Sequence, residues 1–345
     1  MSWNSFLRAL GAAVQSTEEE TFELFAQDLP SHSLGFIDGR APFLELTIAE
    51  RDLTIHQSPA VLSSNRAGGT TGAVVWKITP LFAEWLGSPS NPLFTHGVLS
   101  QRSLVLELGC GISALAGLLL APRIARYVLT DQPYVAKLVE QNIAENQHRS
   151  QALLAHEQKN HSAGRRSGSG TRAAAAKTTR PASKRGSPSP ASPATRREAA
   201  AAAPGNVARL HFTPLDWETD RVTPALAGPG EAGSFDAVLA CDCIYNEALI
   251  EPFVSTCVDV CRLRAADAFT SSSSSPSSSP NSPCVCVIAQ QLRDPLVFEA
   301  WLNRFSESFH TWRVPDELLH EGLRSNSGFV VHVGVLKDVV ELDTL

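Results

Sequence analysis

From residue 104 onward, short apolar runs alternate with stretches that repeat their apolar residues at helical spacing. "LVLEL" at 104–108, "RYVLT" at 126–130, "VARLHF" at 207–212, "FDAVLAC" at 235–241 and the run at 284–290 predict five strands almost free of polar interruption. Between them, a helix is expected from Ser113 to about Leu120. Another carries Val135, Leu138, Val139 and Ile143 on one face, with "NIAEN" near its end. Ile250, Phe253, Val254, Cys257 and Val258 mark the buried face of a third helix, and a fourth lies around 294–306. "FHTWRV" at 309–314 and "FVVHVGVL" at 329–336 read as two last strands with no clear helix between them. Near-continuous apolar strands separated by helices predict an α/β fold. Its sheet should be mostly parallel, covered on both faces, and end in an antiparallel pair.

The first hundred residues follow another pattern. "PFLELTIAERDLTIHQSP" alternates well enough for a hairpin or small sheet. "TGAVVWKITPLFAEWL" then reads as a small-residue turn and an amphipathic helix. The expected division is a 1–100 extension lying against a 101–345 main domain. Two segments interrupt that domain. Residues 159–205 hold no Leu, Ile, Val, Phe, Tyr or Trp, and ten basic residues against one acid. They cannot build a core and read as a disordered surface insertion, with a tether for RNA or an acidic surface as the functional alternative. The Ser/Pro-rich stretch 270–283 reads as a flexible loop between a helix and a strand.

Composition adds three constraints. A net charge of −6 gives no global case for nucleic-acid binding. No apolar run reaches the roughly 18 residues of a membrane span, and the N-terminus lacks a basic start and a cleavage site. A cytoplasmic protein is the resulting expectation, and a monomer is the default because no heptad or other dimerisation signal appears. The seven cysteines, several inside apolar runs, argue for reduced buried thiols. Cys241 and Cys243, like Cys284 and Cys286, are expected to send their thiols to opposite faces, as small hydrophobes rather than a zinc site.

The candidate chemistry begins at "VLELGCGISAL", 105–115. Gly109 and Gly111 lack the Cβ that would block a tight turn beside a ligand, and the helix after them offers free amides. Asp131 follows the second strand directly, where a carboxylate can accept from the two hydroxyls of an adenosine ribose. NAD and S-adenosylmethionine share that ribose, and an N-cap before Pro133 would explain the residue as well. Further on, "PLDWE" supplies Asp216 and Trp217 for an adenine ring. "ACDCIYNEALI" puts Asp242 and Tyr245 at the carboxyl end of a central strand, where open α/β sheets place ligands. An isolated Asp in an apolar run needs a cationic partner, and a ligand ammonium would be one.

Taken together, "VLELGCGISALAG", "VLTDQPYVAKLVEQNIAEN", "LDWE" and "DAVLACDCIYNEALIEPFV" resemble the successive motifs of seven-strand S-adenosylmethionine-dependent protein lysine methyltransferases. Within that family the resemblance is strongest to the fungal enzymes that modify an L1-type protein of the large ribosomal subunit. It covers roughly 40–155 and 207–336, without the serine-rich loop. The resemblance implies a Rossmann-like seven-strand sheet that binds S-adenosylmethionine. Glu107, Gly109 and Gly111 would line its methionine side, Asp131 would hold ribose, and Trp217 would stack near adenine. Trp76 would close the pocket, with Cys241 also a cofactor contact. Asp242 and Tyr245 match the family's Asp-x-x-Tyr motif beside the methyl donor, so they are the expected catalytic pair. Ser113 stands where the family has a third glycine, and the basic insertion lies outside its pattern. An NAD-dependent oxidoreductase would share Gly109, Gly111 and Asp131 but leave the Asp242–Tyr245 pair and Trp76 without a role. A methyltransferase of another protein, a small molecule or a nucleic acid, and a non-catalytic binding module, complete the alternatives.

Overall fold

The computed structural model describes residues 3–30, 35–66, 69–147, 209–228, 233–271 and 282–339. The basic stretch 159–205 and residues 272–281 of the serine-rich loop lie outside the described residues. Helices α1 (Trp3–Leu10) and α2 (Thr17–Phe25) come first; Ser16 caps α2 by accepting from the Glu19 amide. Strands β1 (Phe43–Ile48) and β2 (Arg51–His56) form the expected hairpin, closed by left-handed Ala49 and Glu50. Short α3 (Pro59–Leu62), then α4 (Ile78–Gly87) and short α5 (Pro92–Thr95), lead into the sheet.

The sheet follows the apolar runs closely. β3 (Leu104–Leu108), α6 (Leu115–Leu120), β4 (Arg126–Asp131) and α7 (136–147) form the first half. β5 (Leu210–Pro214), β6 (Ala237–Cys241), α8 (Ile250–Ser271), β7 (Val285–Gln291), α9 (Pro295–Ser308), β8 (Phe309–Arg313) and β9 (Phe329–Leu336) complete it. The seven strands lie in the order β5-β4-β3-β6-β7-β9-β8. Those from β5 to β7 are parallel, whereas β9 runs antiparallel to both β7 and β8. The antiparallel end therefore involves one strand more than the expected final pair, because β9 inserts between β7 and β8. The third parallel strand runs past the end of "VARLHF", whose first two residues lie outside the described residues: Thr213 and Pro214 continue the pairing with β4.

Alternate side chains of these strands feed two apolar layers, as the two-residue period requires. Val105, Leu129, Leu239 and Val287 point to the layer under α4, α6, α7 and the hairpin. Leu106, Val128, Val238 and Cys286 point to the layer under α8 and α9. Residues from both sides of position 100 share the first layer: Phe82, Trp85 and Leu86 of α4 join Leu118 and Leu119 of α6. The two asparagines of "NIAEN" fasten the hairpin to α7. Asn142 accepts from the His56 amide at 2.8 Å and donates to its carbonyl at 3.0 Å. Asn146 does the same one turn later with Thr54, at 2.9 Å each way, so two side-chain amides replace a neighbouring strand.

One expectation fails on geometry. Cys284, just before β7, and Cys286 within it face the same apolar layer, as residues two apart in extended chain must. There they meet Cys257 and Cys261 of α8, and the Cys261 and Cys286 sulfurs are 3.6 Å apart. All four are buried free thiols. They fill the core as small hydrophobes, and no cluster with metal-binding geometry occurs among the described residues. No helix among the described residues is long and apolar enough to cross a membrane.

Candidate active site

β3 stands where the chain order reverses, with β4 on one side and β6 on the other. Beyond the carboxyl ends of these strands lies a cavity of about 420 Å³. Trp76, Glu107, Gly109, Gly111, Asp131, Asp216, Trp217, Cys241, Asp242 and Tyr245, all singled out from the sequence, line it.

The turn after β3 is compact. Gly109 (φ +67°) and Gly111 (φ +56°) are left-handed, and a Cβ on Gly109 would lie 2.5 Å from the Cys243 sulfur and 3.3 Å from the Trp217 ring. No side chain fits there. A Cβ on Gly111 would come within 3.2 Å of the Gly72 carbonyl, which accepts from the Ile112 amide at 3.0 Å. The segment before α4 is thus laid directly over the glycine turn. Trp76 stands at its end, its ring 4.3 Å from that of Phe36 and its indole nitrogen donating to the Thr71 carbonyl at 3.1 Å.

Asp131, the last residue of β4, accepts from the Gly111 amide at 2.8 Å and the Gln132 amide at 2.6 Å. It therefore ties the second glycine to the neighbouring strand, and each oxygen keeps a lone pair for another donor. Burial pushes its carboxyl up to about 6, against the pull of the two amides and Arg66. The Arg66 guanidinium covers the Tyr134 ring at 4.2 Å and donates to the Gln132 side chain at 2.9 Å. Glu107 is buried within β3 and accepts from the Tyr127 hydroxyl at 2.8 Å. Burial drives it up to about 7; the Tyr127 bond opposes the shift and the nearby Asp131 charge adds to it.

Trp217 packs edge-on against Phe253, and its indole N–H is buried without a partner among the described residues. Cys241 ends β6 with its thiol 4.0 Å from the Thr79 hydroxyl, while Cys243 donates to the Leu108 carbonyl at 3.2 Å. Burial holds both thiols protonated, their pKa values pushed well up. Tyr245 is 42% exposed at the mouth.

Asp242 requires a correction. Its charge does not wait for a ligand ammonium: Arg293 grips it bidentately, Nη1 to Oδ1 at 2.7 Å and Nη2 to Oδ2. The Asp242 side chain is 2% exposed and the Arg293 side chain 26%. Arg293 also lies 4.6 Å over the Trp76 ring. The sequence held a signal for this residue, a basic side chain just past the end of the next strand in "AQQLRDP". Only the pairing of β6 with β7 brings the two together, because Cys241 stands opposite Ala289.

Residues 56–160 match the lysine methyltransferase family. A diaminohydroxyphosphoribosylamino-pyrimidine deaminase of Schizosaccharomyces pombe is 35% identical over 136 residues, 39% of this chain and 32% of that protein. A ribosomal lysine N-methyltransferase 5 of Zygosaccharomyces rouxii is 38% identical over 109 residues, 28% of this chain and 34% of that protein. The chain thus spans about a third of the length of these two relatives. Its match to the ribosomal lysine N-methyltransferase 5 of Eremothecium gossypii is longer: 27% identity over 265 residues, 68% of this chain and 71% of that protein. Among solved structures, the N-methyltransferase NodS of Bradyrhizobium japonicum overlays with a TM-score of 0.29 at 11% identity. That match covers 68% of this chain and 78% of that one. So loose an overlay adds nothing to the argument.

Proposed function

We propose that the chain is an S-adenosylmethionine-dependent protein-lysine N-methyltransferase, a reading supported by the match of residues 56–160 to the lysine methyltransferase family and by the similarity to the Eremothecium gossypii protein. The observation that carries the proposal is the cavity itself. A turn with no space for a side chain, a carboxylate with free lone pairs and a buried indole N–H converge at the switch point of the sheet. These features fit an adenosine-bearing group. When bound, S-adenosylmethionine supplies an electrophilic methyl on a sulfonium.

The chain's own residues would do the rest. Gly109 and Gly111 admit the group against bare backbone, with Glu107 and Cys241 on its methionine side. Asp131 accepts from the ribose hydroxyls, Trp217 stacks near adenine, and Trp76 closes the pocket. Asp242 and Tyr245 form the acceptor side, Tyr245 orienting the amine at the open mouth. An acceptor lysine held there as a neutral amine would offer its lone pair toward that methyl, and its surplus proton would pass to water. Positioning and exclusion of water supply most of the rate.

As substrate we propose an L1-type protein of the large ribosomal subunit, modified in the cytoplasm by a monomer. Its support is the similarity to proteins named ribosomal lysine N-methyltransferase 5. The test is transfer of labelled methyl from S-adenosylmethionine into fractionated ribosomal proteins, with Asp242→Ala in parallel and mass spectrometry of labelled bands. Label on a lysine of the L1-type protein, lost with the substitution, is the expected result. Label on another protein keeps the chemistry and overturns the substrate. No label in any protein overturns the proposal.

A further inference from the structure

Arg293 lies outside the residues that line the cavity, yet it joins two of the cavity's walls. One is the segment that ends in Trp76, and the other is the turn after β6. That turn is conformationally costly, because Asp242 is left-handed at φ +62°. It is held by the Asp242 amide on the Ala289 carbonyl (2.8 Å), the Gln291 amide on Asp242 (3.3 Å) and the Arg293 fork. The fork has an electrostatic consequence too. With Arg293 in place, Asp242 presents the cavity with a neutral pair; without it, the same carboxylate would be a bare negative charge.

We propose that Arg293 is a positioning residue that masks Asp242, so that the site receives the acceptor lysine as a neutral amine rather than holding it as an ammonium. The inference rests on the methyltransferase reading above. An unpaired carboxylate beside a lysine favours its charged form and raises its pKa, and an ammonium has no lone pair to offer the methyl. The guanidinium cancels that effect while its fork fixes Asp242 and its face steadies Trp76. The other ionisable groups facing the cavity are Glu107, Asp131, Tyr134, Asp216, Glu218 and Tyr245, with the thiols of Cys110, Cys241 and Cys243. Next along the chain, Asp294 is occupied in capping α9, accepting from the Leu296 and Val297 amides. Of these groups the Cys241 thiol also feels the Arg293 charge, which lowers its pKa, but burial already holds that thiol well up, and losing the guanidinium raises it further. A change in the pH dependence therefore reports the masked pair.

The experiment compares the wild-type chain, Arg293→Gln and Arg293→Lys. Binding of S-adenosylhomocysteine and the initial rate of methyl transfer to total large-subunit ribosomal proteins are followed from pH 6.5 to 9.5. Arg293→Gln is expected to bind S-adenosylhomocysteine within about threefold of wild type and to lose about tenfold in rate at neutral pH. The rising limb of its pH profile should move up by about one unit, the effect of one charge several ångströms away. Arg293→Lys, which restores charge without the fork, should return the limb to its wild-type position. An unmoved limb in Arg293→Gln, whatever its rate, overturns the proposal, as does a limb that Arg293→Lys leaves displaced. Should Arg293→Gln fail to fold, Arg293→Lys compared with Asp242→Asn decides: the limb must stay in place in the first and must not rise in the second. A wild-type chain that binds S-adenosylhomocysteine but methylates no lysine overturns the function itself, a failure visible before any variant is compared.

Discussion

β3 and β6 lie side by side in the sheet, and just beyond each comes a left-handed residue: Gly109 at φ +67° and Asp242 at +62°. The two turns meet, since the Cys243 thiol donates to the Leu108 carbonyl at 3.2 Å. They solve the same backbone problem in opposite ways. At Gly109 the space for a Cβ is already filled, so the turn can contribute only bare backbone. At Asp242 a side chain is retained despite an unfavourable φ, and Arg293 and two backbone hydrogen bonds hold it. The difference separates two tasks. One turn lets a ligand come close, whereas the other places a charge and its counter-charge beside it.

The strongest way to break that comparison is to give the first turn a side chain. Gly109→Ala meets both the Cys243 sulfur and the left-handed φ, and should weaken S-adenosylhomocysteine binding by at least about 100-fold. Stability should fall by roughly 2–4 kcal/mol. Adding Cys243→Ala should recover the packing part and leave the backbone part. Calorimetric titration and thermal melts read both, and full recovery in the double variant would show that conformation at Gly109 counts for nothing.

A second prediction concerns the carboxyl that β3 carries into the site just before its glycine turn. Glu107 is raised to about 7 from an ordinary 4.5, so between those values the folded chain keeps a proton that the unfolded chain has lost. Stability contributed by this group is therefore lost as pH rises from about 4.5 to 7, by about 3 kcal/mol in all. Asp131, raised to about 6, acts in the same direction. Denaturant titrations across this range should show Glu107→Gln with a flatter dependence than wild type. An equally steep profile would place the proton elsewhere.

The smallest effect sharpens the second turn. Asp242→Asn keeps a side chain that tolerates the left-handed region and removes the charge. With Arg293 a quarter exposed, the cost should be about 1–2 kcal/mol by urea denaturation. Asp242→Ala, which also loses that tolerance, should cost more. Equal costs would mean that charge alone holds the turn.

Much of this was legible in the sequence because it is local. Apolar runs such as "VLELG" and "DAVLAC" place the strands, and ligand-side residues follow from lying just past strand ends. What was hidden depends on pairing across the chain. Arg293 reaches Asp242 only because β7 lies beside β6. Asn142 and Asn146 look like ordinary helix residues until β2 is set against them. The shared face of Cys284 and Cys286 was available from the two-residue period alone. The helical spacing of Phe6, Leu7 and Leu10, all buried in α1, was equally available.

The most direct test of the site is titration of the whole chain with S-adenosylhomocysteine and, separately, with NAD, using Gly109→Ala as control. One equivalent of S-adenosylhomocysteine bound by wild type, lost in Gly109→Ala and not matched by NAD, is the predicted result. Binding of NAD instead, or S-adenosylhomocysteine binding that Gly109→Ala leaves intact, would contradict the assignment of this cavity.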